Sequence, residues 1–348
     1  MRVMKVLITG ATGFIGREIV SEFIENDHQV IALGKSQQSS GGTSGGTSPN
    51  VIFYQANITV YKNLRALESI EGIEVMIHSA GLAHQFGETR RTEFEAVNVT
   101  GTENILNLAV KLRVKHFILI GSTAVYGIGS MPPQNVRQKN PTIIVEESTT
   151  APQTLYAESK LKSEEICRRI CEENNIALTI FRLAPVIGEA NVGNVARLIG
   201  AIDKNRFIWI GNGANLKALI YKRDVARACV LLAANKQNKT EIFNLAAEPV
   251  KMKDFVGEIA ARLDKKVFPM TIPESFLRMF FKANAKTFKL KKINKISETV
   301  EKWLSDDIYS ADKIARVYGY KPATTISEAI AKQVDYYKTN KKRATGKQ

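Results

Sequence analysis

Three side chains in this sequence have the types and spacing to exchange a proton with an alcohol. Tyr156 and Lys160, in Tyr156-Ala-Glu-Ser-Lys160, lie four residues apart and share one face of a helix. A phenol of pKa about 10 is a poor base at neutral pH, but a neighbouring ammonium favours the phenolate and lowers that value. Ser122 follows the apolar run His116–Ile120 and could hydrogen-bond the same substrate oxygen. The spacing alone is not specific: Tyr309…Lys313 and Tyr337…Lys341 repeat it, and neither follows a comparable strand end, so both read as structural pairs.

The elements that must position these groups begin at the N-terminus. Val3–Thr9 is apolar and β-branched, and it runs into Gly10, Gly13 and Gly16 before a segment whose Phe14, Ile19, Val20, Phe23 and Ile24 make one apolar helical face. That is strand, tight turn, helix start. Gly10 permits the turn, Gly13 admits a pyrophosphate to the positive helix end, and Gly16 lets helix and strand pack closely. A dinucleotide site follows, and the positive charge of an oxidised nicotinamide would further favour a Tyr156 phenolate.

Further short apolar strands at Gln29–Leu33, Val51–Gln55, Val75–Ser79, His116–Ile120 and Ala177–Leu183 alternate with helical patterns at Lys62–Ser69, Phe94–Arg113 and Leu155–Asn175. Such alternation predicts an α/β fold, a doubly wound parallel sheet with ligands gathered at the carboxyl ends of its strands. Glu241–Leu245 is expected to rejoin the sheet. Residues 1–183 and 205–245 then form the dinucleotide-binding domain, 184–204 and 246–338 a smaller mixed α/β substrate domain, and 339–348 a basic tail. Ser36–Asn50, rich in Ser, Gly and Thr, reads as a surface loop near the adenosine end of the cofactor.

The 348 residues are 44% apolar, enough for a sizeable core. The first strand leaves no room for a signal peptide, and no apolar run approaches the roughly 20 residues that span a bilayer, so a cytoplasmic protein is expected. Cys167, Cys171 and Cys229 fit a reduced compartment and offer no zinc-ligand spacing; no metal site is expected. The net charge of +15 is concentrated late, between Lys282 and Lys295 and between Lys338 and Lys347. These runs lack interleaved aromatics for base stacking, so they read as solvated surface rather than a nucleic-acid site. The cluster Phe276, Met279, Phe280, Phe281 beside the first run is a core or subunit contact, with an interfacial membrane helix as the alternative. Of the histidines, His84 follows the fourth strand and could touch substrate, His28 and His116 stand at strand starts, and His78 is a packed strand residue.

Taken together, Thr9-Gly-Ala-Thr-Gly-Phe-Ile-Gly16, His78-Ser-Ala-Gly81, Asn98-Val-Thr-Gly-Thr-Glu-Asn104, Ser122…Val125-Tyr-Gly127, Tyr156…Lys160, Arg182-Leu-Ala-Pro-Val-Ile-Gly188, Gly211-Asn-Gly213 and Arg223-Asp-Val-Ala226 resemble the extended short-chain dehydrogenase/reductase family, the sugar-nucleotide epimerases and dehydratases such as UDP-galactose 4-epimerase. The resemblance spans residues 3–335. It implies a Rossmann-type domain, NAD(P), a triad of Ser122, Tyr156 and Lys160, a nucleotide-sugar substrate and a homodimer. It places Gly10, Thr12, Gly13, Phe14, Ile15, Gly16, Gly34, Lys35, Asn57, Ile58, Ala80, Gly81, Asn98 and Pro185 around the cofactor, with Asn98 helping to hold the lysine. Ala83, His84, Thr123, Asn194 and Lys217, with Ser122, would face substrate.

Departures from the family matter for specificity. Gly34 and Asn57 stand where the family often has acids; with no carboxylate for a ribose 2′-hydroxyl, and Lys35 adjacent, NADP(H) is the expected cofactor. Lys217 replaces an arginine for the diphosphate, and Trp303 falls near a second. The stretch Met131–Pro141 lengthens the loop that would border substrate. The leading expectation is C4 epimerisation or 4-keto reduction of a nucleotide sugar. The alternatives are a hydroxysteroid-type or other lipophilic alcohol dehydrogenase, and a non-catalytic dinucleotide-sensing or RNA-binding protein.

Overall fold

Val6, Leu7, Ile8 and Thr9 have no exposure to solvent, which a strand achieves only when helices cover both of its faces. They form β1 (Lys5–Thr9), the first strand of a seven-stranded, wholly parallel sheet. The structure, a computed structural model, describes residues 2–36, 49–83, 90–127, 142–235, 239–267, 271–273, 300 and 302–345. The remaining sheet strands are β2 (Gln29–Gly34), β3 (Val51–Gln55), β4 (Val75–His78), β5 (His116–Ile120), β6 (Ala177–Leu183) and, after four short strands, β11 (Thr240–Leu245). Their order is β11-β6-β5-β4-β1-β2-β3, so the order reverses between β1 and β4, where doubly wound sheets open their ligand crevice. Central β4, β5 and β6 are buried along their whole length, whereas β3, at the edge, exposes Ile52.

Alternation along the strands divides the core in two. Val6, Ile8, Val30, Ile77, Ile118 and Ile120 pack beneath α1 (Phe14–Glu25) and the later helix α6 (Lys222–Ala234). Leu7, Ile31, Met76, Phe117 and Leu119 pack beneath α3 (Gly101–Lys111) and α4 (Leu155–Glu173). A third cluster joins Ile187 and Leu219 to α5 (Asn194–Asp203), α7 (Met252–Arg262) and the last helix, Ile326–Thr345. Leu219 and Tyr221 pack into this third cluster, while Ile220 between them packs into the first. Two bridges tie that layer down, Ile144 to Tyr309 and Lys217 to Asp307.

Local differences from the sequence expectation have physical causes. Residues Tyr61–Leu67 form a 3₁₀ segment instead of an α-helix. The stretch expected as one helix over Phe94–Arg113 is α2 (Arg91–Phe94), a π-helical turn Glu95–Thr100 and then α3. A π turn inserts one residue without breaking the apolar pattern, so periodicity does not register it. The basic tail expected from residue 339 continues the last helix to Thr345, and Lys341 Nζ pairs with Asp203 Oδ2 at 2.6 Å. No described helix is long and apolar enough to cross a membrane. The Phe276–Phe281 cluster, the Lys282–Lys295 run and the Met131–Pro141 loop lie outside the described residues.

His116, at the start of β5, is 5% exposed, bonds Thr179 Oγ1 through Nε2 at 2.9 Å, and is pushed down to about 4 by burial. Its folded-state pKa lies below its unfolded value near 6.5, so as pH falls through that window the unfolded chain takes a proton that the folded chain refuses. Stability from this residue is full above pH 6.5 and is lost toward pH 4. A fall from 6.5 to about 4 corresponds to about 3 kcal/mol. Urea midpoints measured from pH 7 to 4 should fall, and His116→Leu should flatten that fall; an unchanged pH slope in the variant would count against the burial argument.

Candidate active site

The cradle for a dinucleotide is built by backbone. Gly10 has φ +68°, and Gly13 N donates to Gly10 O at 2.8 Å, closing the turn. A Cβ on Gly16 would lie 2.0 Å from Gly10 O, so only glycine lets α1 approach β1 this closely. Gly13 caps α1 with no side-chain hydrogen bond, so among the described residues the capping position gives the first N–H groups of the helix no side-chain acceptor. These residues fit a dinucleotide pyrophosphate.

At the end of β2, Gly34 is buried and Lys35 exposed. A Cβ on Gly34 would meet Thr12 Cγ2 at 2.9 Å and Phe53 Cζ at 3.1 Å, so Thr12 occupies the space where an acidic side chain would leave β2. Asn57 Oδ1 accepts from Thr59 N and Oγ1, and its neighbour Ile58 packs under Gly101, where an added Cβ would lie 2.8 Å from Ile58 Cδ1.

Ser122 lies two residues beyond β5, and its Oγ accepts from Ala124 N, capping a short 3₁₀ turn. Thr154 caps α4 in the same way by accepting from Ala157 N, which fixes where Tyr156 emerges. The two sequences thus meet at the carboxyl end of the sheet. Burial raises the Tyr156 phenol above its ordinary value, and a hydrogen bond with Ser122 works in the opposite direction. Lys160, 7% exposed, donates from Nζ to Ile120 O at 2.6 Å. Burial lowers its pKa to about 8, against the opposing pull of Glu164 one turn later. A Cβ on Gly81 would stand 3.9 Å from Lys160 Nζ and 3.2 Å from Asn98 Oδ1, so lysine and asparagine converge on that glycine. Asn98 is tied to the helix that carries Lys160 through Ser159. Its Oδ1 accepts from Leu82 N, and its Nδ2 donates to Leu82 O and to Ser159 Oγ, which in turn donates to Tyr156 O.

Below Ser122 lies a buried ion pair that sequence reading did not foresee. Arg182, 3% exposed, donates to both oxygens of fully buried Glu164, the shortest contact being 2.7 Å. Its guanidinium also lies 4.8 Å from the Tyr126 ring, whose hydroxyl donates to Asn244 Oδ1. A Cβ on Gly121 would fall 2.9 Å from Phe181 O and 3.4 Å from Glu164 Oε1.

Of the expected substrate residues, Thr123 is buried and donates to Leu183 O, and Tyr309 bonds its hydroxyl and stacks on Tyr126. Tyr309 therefore stands behind the residue next to Ser122, while Lys313 turns toward Glu147 and the Phe243 ring. Tyr337 and Lys341 both bind Asp203. Lys217 Nζ is held by Asp307 Oδ2 and Lys302 O, each at 2.6 Å, so its charge is already neutralised. Trp303 packs on Phe207, which meets Trp209 edge to face, and the indole N–H has no partner among the described residues. Ala80 N donates to Thr9 Oγ1, Pro185 O accepts from Ile220 N, and Ala83 and Asn194 are exposed. His84 lies outside the described residues.

The profile of the NAD dependent epimerase/dehydratase family matches residues 6–246. The chain is 27% identical over 275 residues, covering 77% of itself and 75% of the relative, to N-acetyl-alpha-D-glucosaminyl-diphospho-ditrans,octacis-undecaprenol 4-epimerase of Escherichia coli O157:H7. Its fold superposes with a TM-score of 0.73 on the UDP-glucose 4-epimerase of Thermotoga maritima with UDP-glucose, at 20% identity and over 97% of this chain and 99% of that one. The same score and coverages hold for the UDP-glucuronic acid 4-epimerase of Bacillus cereus in complex with NAD, at 18% identity.

Proposed function

The chain belongs to the NAD dependent epimerase/dehydratase family, and on that premise we propose that it moves a hydride between a bound nicotinamide dinucleotide and a hydroxyl or ketone of a nucleotide sugar, by C4 epimerisation or 4-keto reduction. The carrying observation is the convergence of Tyr156, Ser122 and Lys160 at the end of β5 beside the glycine cradle. The dinucleotide, when bound, supplies the hydride acceptor and donor. Ser122 orients the substrate oxygen while Tyr156 takes or returns its proton. Lys160 holds the ribose and lowers the tyrosine pKa through its charge. Burial raises the Tyr156 phenol and the Ser122 hydrogen bond opposes that rise, so nearby cationic charge favours the phenolate.

A second reading of the carrier has its own support. Lys217, paired with Asp307, offers a diphosphate less free charge, and the Escherichia coli relative is named for an undecaprenol-linked sugar. Assaying UDP-N-acetylglucosamine against undecaprenyl-diphospho-N-acetylglucosamine separates the two. Turnover of the first supports the nucleotide reading, exclusive turnover of the second supports the lipid reading, and turnover only of a steroid-like alcohol sinks both.

For the cofactor we propose NADP(H), supported by exposed Lys35 and by the absence of a carboxylate at Gly34. One charge-assisted hydrogen bond to a 2′-phosphate contributes about 1.5–3 kcal/mol, roughly tenfold to a hundredfold in affinity. Lys35→Ala should weaken NADPH by that factor and leave NADH unchanged. Because Thr12 fills the space beside Gly34, an aspartate there would also disturb the turn, so the lysine variant is the cleaner probe. Wild-type preference for NADH in a fluorescence titration would refute the assignment.

A further inference from the structure

His78 is 1% exposed at the end of β4, between the cofactor turn and the catalytic helix, and the chemistry so far assigns it no part. Its Nδ1 lies 2.7 Å from Thr9 Oγ1, and its Nε2 lies 3.0 Å from Thr102 Oγ1. Donor and acceptor accounting fixes the protons. Thr102 Oγ1 donates to Asn98 O, a carbonyl that can only accept, so Thr102 has no proton left for the ring. Nε2 must therefore carry the hydrogen and donate to Thr102. Nδ1 is then an acceptor, filled by the Thr9 hydroxyl, which itself accepts from Ala80 N at 3.1 Å.

The result is one directed chain: Ala80 N–H to Thr9, Thr9 to His78, His78 to Thr102, Thr102 to Asn98 O. It ends on the residue that clamps both backbone groups of Leu82 and, through Ser159, reaches the Tyr156 carbonyl. Ser163 of α4 also lies within donating distance of Asn98 O, at 2.6 Å, and of Ser159 O, at 2.8 Å, and its one hydroxyl proton serves these two carbonyls. Asn98 sits inside the π turn, whose irregular backbone needs such external partners. Burial, with Lys160 nearby, holds the imidazole down at about 3, so the ring is neutral and keeps one tautomer.

We infer that His78, locked as its Nε2–H tautomer, is a positioning residue that holds the Asn98 turn in register between the Thr9–Gly10 cofactor turn and the helix carrying Tyr156 and Lys160. A packed apolar side chain could fill the same volume. It could not connect the two strand ends to the turn.

The kinetic half of the test rests on the function proposed above; the spectroscopic half does not. Long-range nitrogen–proton spectra of the ¹⁵N-histidine-labelled protein, with only 4 histidines to assign by comparison with His78→Gln, should show His78 protonated at Nε2 alone. A protonated Nδ1 would overturn the inference whatever the activity. With the active sugar diphosphate from the carrier assay, or UDP-glucose if none is found, His78→Leu should lower kcat about tenfold, the worth of a buried hydrogen bond, while the dinucleotide Kd stays within about threefold. His78→Gln keeps an N–H near the Nε2 position and should restore most of kcat. Equal kcat in the Leu and Gln variants, or a loss that only tracks the folded fraction, would make His78 a filler. Should the Leu variant fail to fold, the tautomer and the Gln variant still decide the matter.

Discussion

Tyr156→Phe should abolish nearly all turnover while leaving dinucleotide binding intact. The phenyl ring keeps its place, including its contact with Phe94 at 6.2 Å between ring centres, and Lys160 still donates to Ile120 O, so neither the helix nor the lysine loses its anchor. Only the hydroxyl that meets Ser122 is removed. Loss of a positioned acid–base group costs about two to four orders of magnitude in rate. Steady-state rates alongside a dinucleotide titration distinguish this from general damage: a matching loss of binding would point to a misfolded crevice, and wild-type turnover would end the assignment of Tyr156. The same change at Tyr337, whose hydroxyl binds Asp203, should leave chemistry unaffected.

The largest stability effect is expected at Arg182→Met. Glu164 would be left fully buried with its ion-pair partner gone, and removing one member of such a pair costs about 3–5 kcal/mol. Glu164 also favours the charged form of Lys160, so the variant disturbs the catalytic helix as well as the core. Replacing both partners, as Glu164→Leu with Arg182→Met, should recover much of the stability because no charge remains buried. Chemical denaturation of the two single variants and the double variant tests this directly. Strictly additive losses would show that the pair is not coupled and that each residue acts through packing alone.

What the sequence made legible follows from locality. The Gly10–Gly16 turn, the continuous apolar runs of β1, β4, β5 and β6, and the Tyr156–Lys160 face are all written within a few consecutive residues, and the sheet forms where they predict. The π turn at Glu95–Thr100 was hidden because it leaves the apolar pattern unbroken, while the hydroxyls of Thr102 and Ser163 that approach one of its carbonyls leave no mark on periodicity. The neutralisation of Lys217 depends on Asp307, which comes beside it only when the smaller layer folds back. Tyr309 behaves likewise: its spacing to Lys313 suggested nothing, yet folding sets it against Thr123. His78 looked like a strand residue because its neighbours are apolar, and only the positions of Thr9 and Thr102 reveal both of its ring nitrogens in use.

The central claim is that a hydride passes between C4 of the sugar and the dinucleotide under the control of Tyr156. It is tested most directly by following deuterium from C4 of a labelled sugar diphosphate, UDP-glucose first and then the undecaprenyl-linked N-acetylglucosamine. Mass spectrometry of the protein-bound dinucleotide should find the label in the wild-type protein and none in Tyr156→Phe. Product formed without label ever reaching the dinucleotide, or equal labelling in the two proteins, would contradict the account.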